Sequence, residues 1–261
     1  MDEAAEGQEG LPPLFLCFMR RFYAPDIAPG PHQLGPEEAR HLGQVLRARP
    51  GDAVELADGR GAVFPAEVVS VGKREALLHV GVPVCFPEPT PALTLWVAPT
   101  KHTDRFEWFL EKACECGIAR IQPIWTARSE RRVEKRDRWV RTLAEAMKQS
   151  RRAWLPELLS AIELKAALKR LSTSEGEAPW LGLAHCPVPE HPDWTRQSIT
   201  EALPRQRDAI IAIGPEGDFD PDEIQHFAAA GFTPVTFGDH RLRTETAALY
   251  AVQAFHILNA P

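Results

Sequence analysis

The chain has no long hydrophobic run, no export signal and no cysteine framework, and each absence removes a class of function. No apolar stretch reaches the roughly 20 residues that a membrane-spanning helix needs. The strongest, Leu11 to Met19 (LPPLFLCFM), is short. It follows the acidic MDEAAEGQEG and precedes Arg20-Arg21, the reverse of the charge order in a signal peptide. A cytoplasmic location without a membrane partner is therefore expected. The five cysteines, Cys17, Cys85, Cys114, Cys116 and Cys186, are odd in number and fit no disulfide spacing. Cys114-Glu-Cys116 lacks a second ligand pair nearby, which argues against a zinc site, and no metal is expected. The cysteines read as buried free thiols in a reducing compartment. An overall basic surface is also missing, since the formal net charge is −6. No internal repeat is visible.

What is present fits a globular protein. The 261 residues, 44% hydrophobic and 25% charged, suit one large domain or two modest ones. Residues 1–18 read as a tail. Residues 19–90 read as a small β-rich domain. Pro36-Glu37-Glu38 opens a helix there, with Ala39, Leu42, Val45 and Leu46 on one face. Strand-like runs follow at Ala53 to Leu56, Val63 to Val71 and Ala76 to Val82, separated by Asp58-Gly59-Arg60-Gly61 and Gly72-Lys73. Short strands with tight turns suggest a small barrel. The proline-rich Pro83 to Pro91 reads as a linker.

From residue 91 to 261 the pattern alternates between strand and helix, which predicts a parallel α/β sheet. Strands are expected at Leu93 to Ala98, Arg120 to Trp125, Trp180 to Ala184, Ala209 to Ile213 and Pro234 to Phe237. Asp104 reads as the cap of a helix that Gly117 ends. Asp220-Pro221 with Glu223 opens another, ended by Gly231.

Two stretches could carry chemistry. From Arg128 to Arg152 there are ten Lys/Arg and four Asp/Glu, or 10 − 4 = +6 on an acidic protein. Such a stripe is either a local contact for a polyanion such as RNA or a solvated helix face. The second stretch is IGPEGDF, Ile213 to Phe219. Strand, glycine loop and helix form the usual layout of a phosphate site, yet Glu216 and Asp218 stand where phosphate wants bare N–H groups. In open α/β sheets ligands sit at the carboxyl ends of strands. Three ends are marked: Ala184-His185-Cys186-Pro187, Gly214-Pro215-Glu216-Gly217 and Phe237-Gly238-Asp239. A nucleoside bearing a cation rather than phosphate, such as S-adenosylmethionine, would tolerate the carboxylates. A tight turn without a ligand is the other reading.

IGPEGDF, GFTPVTFG and LRTETAALYA, in this order, resemble the C-terminal signature of the RsmE family, the SPOUT-class 16S rRNA (uracil-N3) methyltransferases. MRRFY at 19–23, HLGQVLRARPGD at 41–52, DRFEWFLEKACECGI at 104–118 and EAMKQSRR at 145–152 extend the resemblance over nearly all of residues 19–261. It implies an N-terminal PUA-like β-barrel that helps hold RNA. It also implies a C-terminal SPOUT α/β domain whose end threads a trefoil knot, and a homodimer. The implied reaction is S-adenosylmethionine-dependent methylation of uracil N3 in 16S rRNA, at the uridine equivalent to 1498 in the small ribosomal subunit. Another SPOUT methyltransferase, acting on tRNA or a ribose oxygen, and a non-catalytic RNA-binding assembly factor are the alternatives.

The resemblance places the cofactor at Ala184, His185, Ile213, Gly214, Pro215, Glu216, Gly217, Phe237, Gly238, Leu242, Arg243 and Thr244. Arg243 is the candidate for stabilising charge on the uracil, with pairing to Glu245 as its other role. Glu216 is the second catalytic candidate, as a ligand contact, with a loop cap as its other role. His185 is a cofactor contact or a structural residue. Arg21, Lys101, Arg128, Arg151 and Arg152 are the RNA-contact candidates. Trp125, Trp139 and Trp154 read as core or interface rather than stacking platforms. The chain departs from the family at Asp218, where a second glycine is usual, and at Asp239-His240. The loop Lys101-His102-Thr103 is one residue longer, and the tail before Met19 has no counterpart.

Overall fold

A computed structural model describes residues 19–171, 177–187 and 195–260. The tail expected over residues 1–18, and Cys17 with it, lies outside them. The chain divides into two compact units between residues 86 and 87.

The first unit is one sheet of six strands. They are β1 (Arg21–Tyr23), β2 (Gly30–Leu34), β3 (Ala53–Ala57), β4 (Ala62–Val71), β5 (Ala76–Val80) and β6 (Val84–Cys85). The order is β1-β3-β4-β5-β2, with β6 paired to β4. Part of the expected proline-rich linker is therefore strand. The turn between β3 and β4 is built by Asp58, whose Oδ1 accepts from the N–H groups of Arg60 (2.7 Å) and Ala62 (3.0 Å). A short helix, α1 (Pro36–Arg40), runs into a π-helical turn at His41–Val45. Phe22, Leu42, Leu56 and Leu78 form the core beneath it. Arg21, expected to meet RNA, is instead buried. Its guanidinium donates to Glu55 at 2.9 Å, with the two side chains 7% and 1% exposed. Burying a carboxylate requires such a partner, which is what holds Arg21 inside.

The second unit has eight strands, all parallel. They are β7 (Leu93–Val97), β8 (Arg120–Trp125), β9 (Glu157–Leu158), β10 (Ile162–Glu163), β11 (Trp180–Ala184), β12 (Gln197–Ser198), β13 (Ala209–Ile213) and β14 (Thr233–Thr236). Its helices are α2 (Thr103–Glu115), α3 (Arg136–Gln149), α4 (Leu164–Leu171), α5 (Ile199–Ala202), α6 (Pro221–Ala229) and α7 (Thr244–Asn259). The sheet order is β10-β8-β7-β13-β11-β14-β12, with β9 on β8. Late in the chain, β13 lies between β7 and β11. The register pairs Ile213 with both Val97 and Ala184, and Ala184 with Val235. Four strand ends are thus level, and the loops that leave them converge.

The helix signals resolve unevenly. α6 has the expected capping box: Asp220 accepts from Asp222 N–H and Glu223 accepts from Asp220 N–H at 2.9 Å. Asp104 does not cap α2. The helix starts two residues earlier, at Thr103 with His102 as cap, where Thr100 Oγ1 donates to the His102 carbonyl at 2.8 Å and closes the turn. Gly117 does end α2 at φ +100°, and a Cβ there would meet the His256 ring at 2.9 Å. Trp139 is buried against Phe106, while Trp125 and Trp154 are half-buried. Of the described cysteines only Cys114 is buried; Cys116 and Cys186 are half-buried, and Cys85 is exposed on the two-residue strand β6. Burial raises the Cys114 thiol to about 11. No helix among the described residues is long and apolar enough to cross a membrane.

Candidate active site

Three of the level strand ends, those of β11, β13 and β14, open into a cavity of about 350 Å³, within the range of small-molecule sites. Its lining comes from Ala184 and His185 after β11, Ile213 to Glu216 after β13, Phe237 and Gly238 after β14, and Leu242 to Thr244 at the start of α7. Eleven of the twelve residues expected around the cofactor therefore share one cavity. Gly217 does not. It lines a neighbouring cavity, while Asp218 after it lines both. Cys186, Arg196, Asp218, Val235, Thr236, His240, Arg241 and Ala247 complete the wall and were not in the expected set. Arg196 precedes the short edge strand β12, so no strand end marks it in the sequence.

Backbone geometry explains the loop after β13. A Cβ on Gly214 would lie 3.2 Å from both the Phe219 backbone nitrogen and its ring, so the loop folds back over a position with no room for a side chain. Asp218 takes φ +63°, the left-handed region usually left to glycine. Its carboxylate compensates. Oδ1 accepts from Phe219 N–H at 2.8 Å, and Oδ2 accepts from Cys186 N–H at 2.7 Å. The second bond ties the β13 loop to the β11 loop. Two carboxylates next to it do comparable work. Glu216 Oε1 accepts from Lys101 N–H at 3.0 Å, fixing the loop after β7, and Glu223 Oε1 accepts from Ala127 N–H at 2.7 Å, fixing the loop after β8.

This is why a glycine loop before a helix need not hold phosphate. The N–H groups of Phe219, Asp220 and Asp222, which could face an anion at the start of α6, are taken by the chain's own carboxylates. The remaining cavity wall has a substantial apolar part: Ala184, Ile213, Val235, Phe237, Leu242 and Ala247. The first turn of α7 also lines it, through Thr244 and Ala247, and its cap residue Arg243 provides no side-chain cap. Unused N–H groups at such an end suit a carboxylate.

His185 and Cys186 are held neutral. Burial lowers the His185 pKa and Arg196 lowers it further, against opposing effects of the Cys186 carbonyl and Asp218. The Nδ1 atom lies 2.6 Å from the Cys186 carbonyl, which can only accept, so Nδ1 carries the proton in the neutral ring. Burial, then the Asp218 charge, raises the Cys186 thiol above its ordinary value. It is therefore not a ready nucleophile.

Arg243 is exposed and lines the cavity. It has no ion pair among the described residues, and Glu245 is approached by Arg105 instead, at 3.8 Å. Arg128, from the basic stripe, is brought to the site. Its Nη1 donates to the Gly217 carbonyl at 2.8 Å. Lys101 touches it only through its backbone N–H on Glu216, and its ammonium pairs with Glu130 at 2.5 Å. Arg152 does not face outward at all. Its guanidinium donates to the carbonyls of Cys114 (2.8 Å), Ile118 (3.0 Å) and Gly117 (3.3 Å), closing the end of α2. Orphaned carbonyls at a buried helix end require donors, and the fold takes Arg152 for them. Arg151 sits at φ +59° in the turn that ends α3, half-buried. Elsewhere in the stripe Arg132 pairs with Glu163, Arg138 with Glu107 and Lys148 with Glu145. Among the described residues no group of three or more His, Cys, Asp or Glu is placed to hold a metal.

Comparison with known proteins agrees with this architecture. Residues 87–256 match the RNA methyltransferase domain family, and residues 34–80 match the RNA methyltransferase PUA domain. The ribosomal RNA small subunit methyltransferase E of Synechocystis is 30% identical over 223 residues, spanning 85% of this chain and 71% of that protein. A probable rRNA-methyltransferase from Porphyromonas gingivalis has a solved structure 35% identical to this chain. It superposes with a TM-score of 0.83, covering 93% of this chain and 99% of that one. The ribosomal RNA small subunit methyltransferase E of Neisseria gonorrhoeae, solved bound to S-adenosyl methionine, is 29% identical with a TM-score of 0.78, covering 92% of this chain and 98% of that one. With a PUA-type N-terminal unit, an α/β unit and both family matches in place, the chain belongs to the RNA methyltransferases of the ribosomal RNA small subunit methyltransferase E family.

Proposed function

We propose that the cavity at the strand ends binds S-adenosylmethionine and that the protein methylates N3 of a uridine in 16S rRNA, the position that the family resemblance implies. The observation that carries this reading is the convergence of three strand ends on one cavity, beside which backbone N–H groups of Cys186, Phe219 and Lys101 are taken by the carboxylates of Asp218 and Glu216. The residues fit the cofactor. The apolar wall suits an adenosine, Glu216 and Asp218 tolerate a sulfonium, and the first turn of α7 suits an amino-acid carboxylate. When bound, S-adenosylmethionine supplies an electrophilic methyl group, and its sulfur keeps the bonding electron pair. The chain's residues do the rest. They hold the uracil so that N3 faces the methyl, which lowers the entropic part of the barrier. The N3 proton passes to solvent water as the N–C bond forms and the methyl–sulfur bond breaks. Arg243, positively charged at the cavity mouth, stabilises the negative charge that spreads to the uracil oxygens. Glu216 orders the loop beneath.

On this reading the six-stranded unit closes as a PUA-like barrel for RNA, and the C-terminal segment through α7 threads a trefoil knot. Two copies pair as a homodimer. Tyr250 and Ile257 on α7, 44% and 76% exposed, give that pairing an apolar surface. The enzyme acts in the cytoplasm, where its rRNA is. The non-catalytic alternative rested on Asp218 spoiling the loop, and the loop accommodates it.

Nucleoside mass spectrometry of 16S rRNA from a deletion strain is the test. Loss of 3-methyluridine, restored by the intact gene, is expected. A strain that keeps the modification would overturn the assignment.

A further inference from the structure

The six-stranded unit has a cavity of its own, of about 330 Å³. Leu42, Val45, Leu46 and Val54 give it apolar walls, and Arg20 and Asp52 are the charged groups of its lining. The helical turn after α1 shapes it. There α1 widens into the π-helical turn His41–Val45, where Leu46 N–H donates to the His41 carbonyl at 3.0 Å and Ala48 N–H to the Leu42 carbonyl at 3.1 Å. A Cβ on Gly43 would lie 2.7 Å from Val71 Cγ1, so the turn is pressed against the end of β4. Leu42 is thereby seated in the core, and Val45 is turned outward, 67% exposed. Arg47 then takes φ +54°, which costs a residue with a side chain about 1 kcal/mol. Widened helical turns and left-handed residues cluster at binding sites.

Asp52 is fixed in that lining. Its Oδ2 accepts from Arg49 N–H at 2.7 Å, its N–H donates to the Arg49 carbonyl at 3.0 Å, and its carbonyl accepts from Val68 N–H on β4 at 2.9 Å. The carboxylate thus gives the turn one bond and keeps Oδ1 and the second lone pair of Oδ2 as acceptors. From Leu46 to Arg49 the chain alternates. Leu46 and Ala48 line the cavity, while Arg47 and Arg49 are exposed, as is Arg20. The result is an apolar slot with a carboxylate in its lining and cations around it. The carboxylate repels phosphate from the slot itself, whereas the arginines attract a phosphate chain that runs past it. Single-stranded RNA meets both conditions by turning a base into the slot and leaving its backbone outside.

We propose that this cavity binds a guanine base of single-stranded RNA, with Asp52 as the acceptor that selects it. A carboxylate accepts hydrogen bonds and gives none. Guanine offers N1–H and its 2-amino group side by side. Adenine and cytosine offer an amino group next to an acceptor ring nitrogen, and uracil offers N3–H between two carbonyl oxygens. Guanine alone presents two neighbouring donors and no acceptor between them, so it alone pairs with both carboxylate oxygens. Val45 and Leu46 cover the face of the base, and Arg47 and Arg49 neutralise the flanking phosphates. This inference rests on the reading of the six-stranded unit as a holder of RNA. It adds a base preference and the residue that sets it.

The experiment uses the full chain and two variants, Asp52→Asn and Val45→Glu. Fluorescence anisotropy follows the binding of three short single-stranded oligoribonucleotides. The first is oligoadenosine with a central guanosine, and in the others inosine or uridine replaces that guanosine. Inosine keeps N1–H and lacks the 2-amino group. The wild type should bind the guanosine strand about fivefold or more tighter than either of the others, the low end for a lost bidentate contact. Asp52→Asn keeps an oxygen for Arg49 N–H but offers an amide donor in place of the second acceptor. It should bring the three strands to within about twofold of one another, through weaker binding of guanosine. Val45→Glu places a charge in the slot from an exposed position and should abolish the preference as well. Melting curves establish that each variant is folded. Equal binding of the three strands by the wild type would overturn the guanine site while leaving the unit's role in holding RNA intact. A guanosine preference that survives in either folded variant would overturn it too, since the preference would then arise elsewhere. A wild type that binds none of the three defeats the RNA-holding reading, and the guanine site with it.

Discussion

The loop Ile213 to Phe219 and the stripe Arg128 to Arg152 are the two stretches that stand out in the sequence, and the fold treats them in opposite ways. The loop holds two carboxylates where an anion site would hold none, and both become braces inside the site. The stripe holds an excess of cations, and much of it is turned to the fold's own uses. Arg132, Arg138 and Lys148 form ion pairs, and Arg152 closes α2. Only Arg128 of the residues expected to contact RNA from that stripe is brought to the cavities. Local charge thus predicts a function poorly. What decides is whether a partner from elsewhere in the chain reaches the charge first.

The largest expected effect tests Arg243 at the cavity wall. Arg243→Ala should lower kcat about 10²- to 10³-fold, the usual result of removing one group that stabilises developing charge. S-adenosylmethionine affinity should move only a few-fold. Single-turnover methylation of small-subunit RNA, with calorimetry alongside, measures both. Equal losses in binding and rate would make Arg243 a cofactor contact rather than a catalytic residue.

Arg152 should behave in the opposite manner. Arg152→Ala removes the guanidinium from three carbonyls at the end of α2, of which Cys114 keeps its bond from Gly117 N–H, at a cost of about 3 kcal/mol. Denaturant unfolding should register that loss, and the salt slope of RNA binding in the folded fraction should stay as in the wild type. A shallower slope at full stability would return Arg152 to the RNA surface.

Asp218 sets two opposing effects against each other. Replacement by glycine relieves a left-handed conformation worth about 1 kcal/mol, but removes two bonds to a charged acceptor, each worth about 1.5–3 kcal/mol. The bonds should win, and Asp218→Gly should weaken S-adenosylmethionine about tenfold. Asp218→Asn, which tolerates φ > 0 and keeps one acceptor oxygen, should fall between. Tighter binding by the glycine variant would show that strain dominates.

The smallest effect concerns acid. The folded His256 pKa lies below its ordinary 6.5, because the ring is desolvated and Arg152 adds like charge, against an opposing bond with the Gly117 backbone. The unfolded chain therefore takes up a proton at higher pH than the folded one. Stability should decline as pH falls below about 6.5 and level off once the folded imidazole is also protonated. Melting curves at several pH values should show a gentler decline for His256→Gln. An identical decline would place the acid sensitivity elsewhere.

Periodicity and turn chemistry made much of the secondary structure legible. Arg120–Trp125, Trp180–Ala184 and Ala209–Ile213 are strands with the expected bounds, and Asp220, Pro221 and Glu223 open α6. These signals are local, set by residues within a turn of one another. The start of α2 differs from its expected place because it depends on Thr100 bonding to the His102 carbonyl, an interaction that residue preferences do not encode. The site was legible as three strand ends, since glycine, proline and polar residues mark where a buried strand stops. Arg196, Arg241 and the tie from Asp218 to Cys186 were not, because they join segments with no pattern of their own.

The sequence by itself determined the elements, the charge of each loop and the family. Only the tertiary structure decided which charges remain for a ligand. Arg152 and Arg243 are the same residue type in equally suggestive motifs. One is drawn into the carbonyls at the end of a buried helix, where an unpaired acceptor is costly, and the other is left at the mouth of a cavity. The difference arises because carbonyls and carboxylates compete for donors across dozens of residues, and only folding brings the competitors within reach.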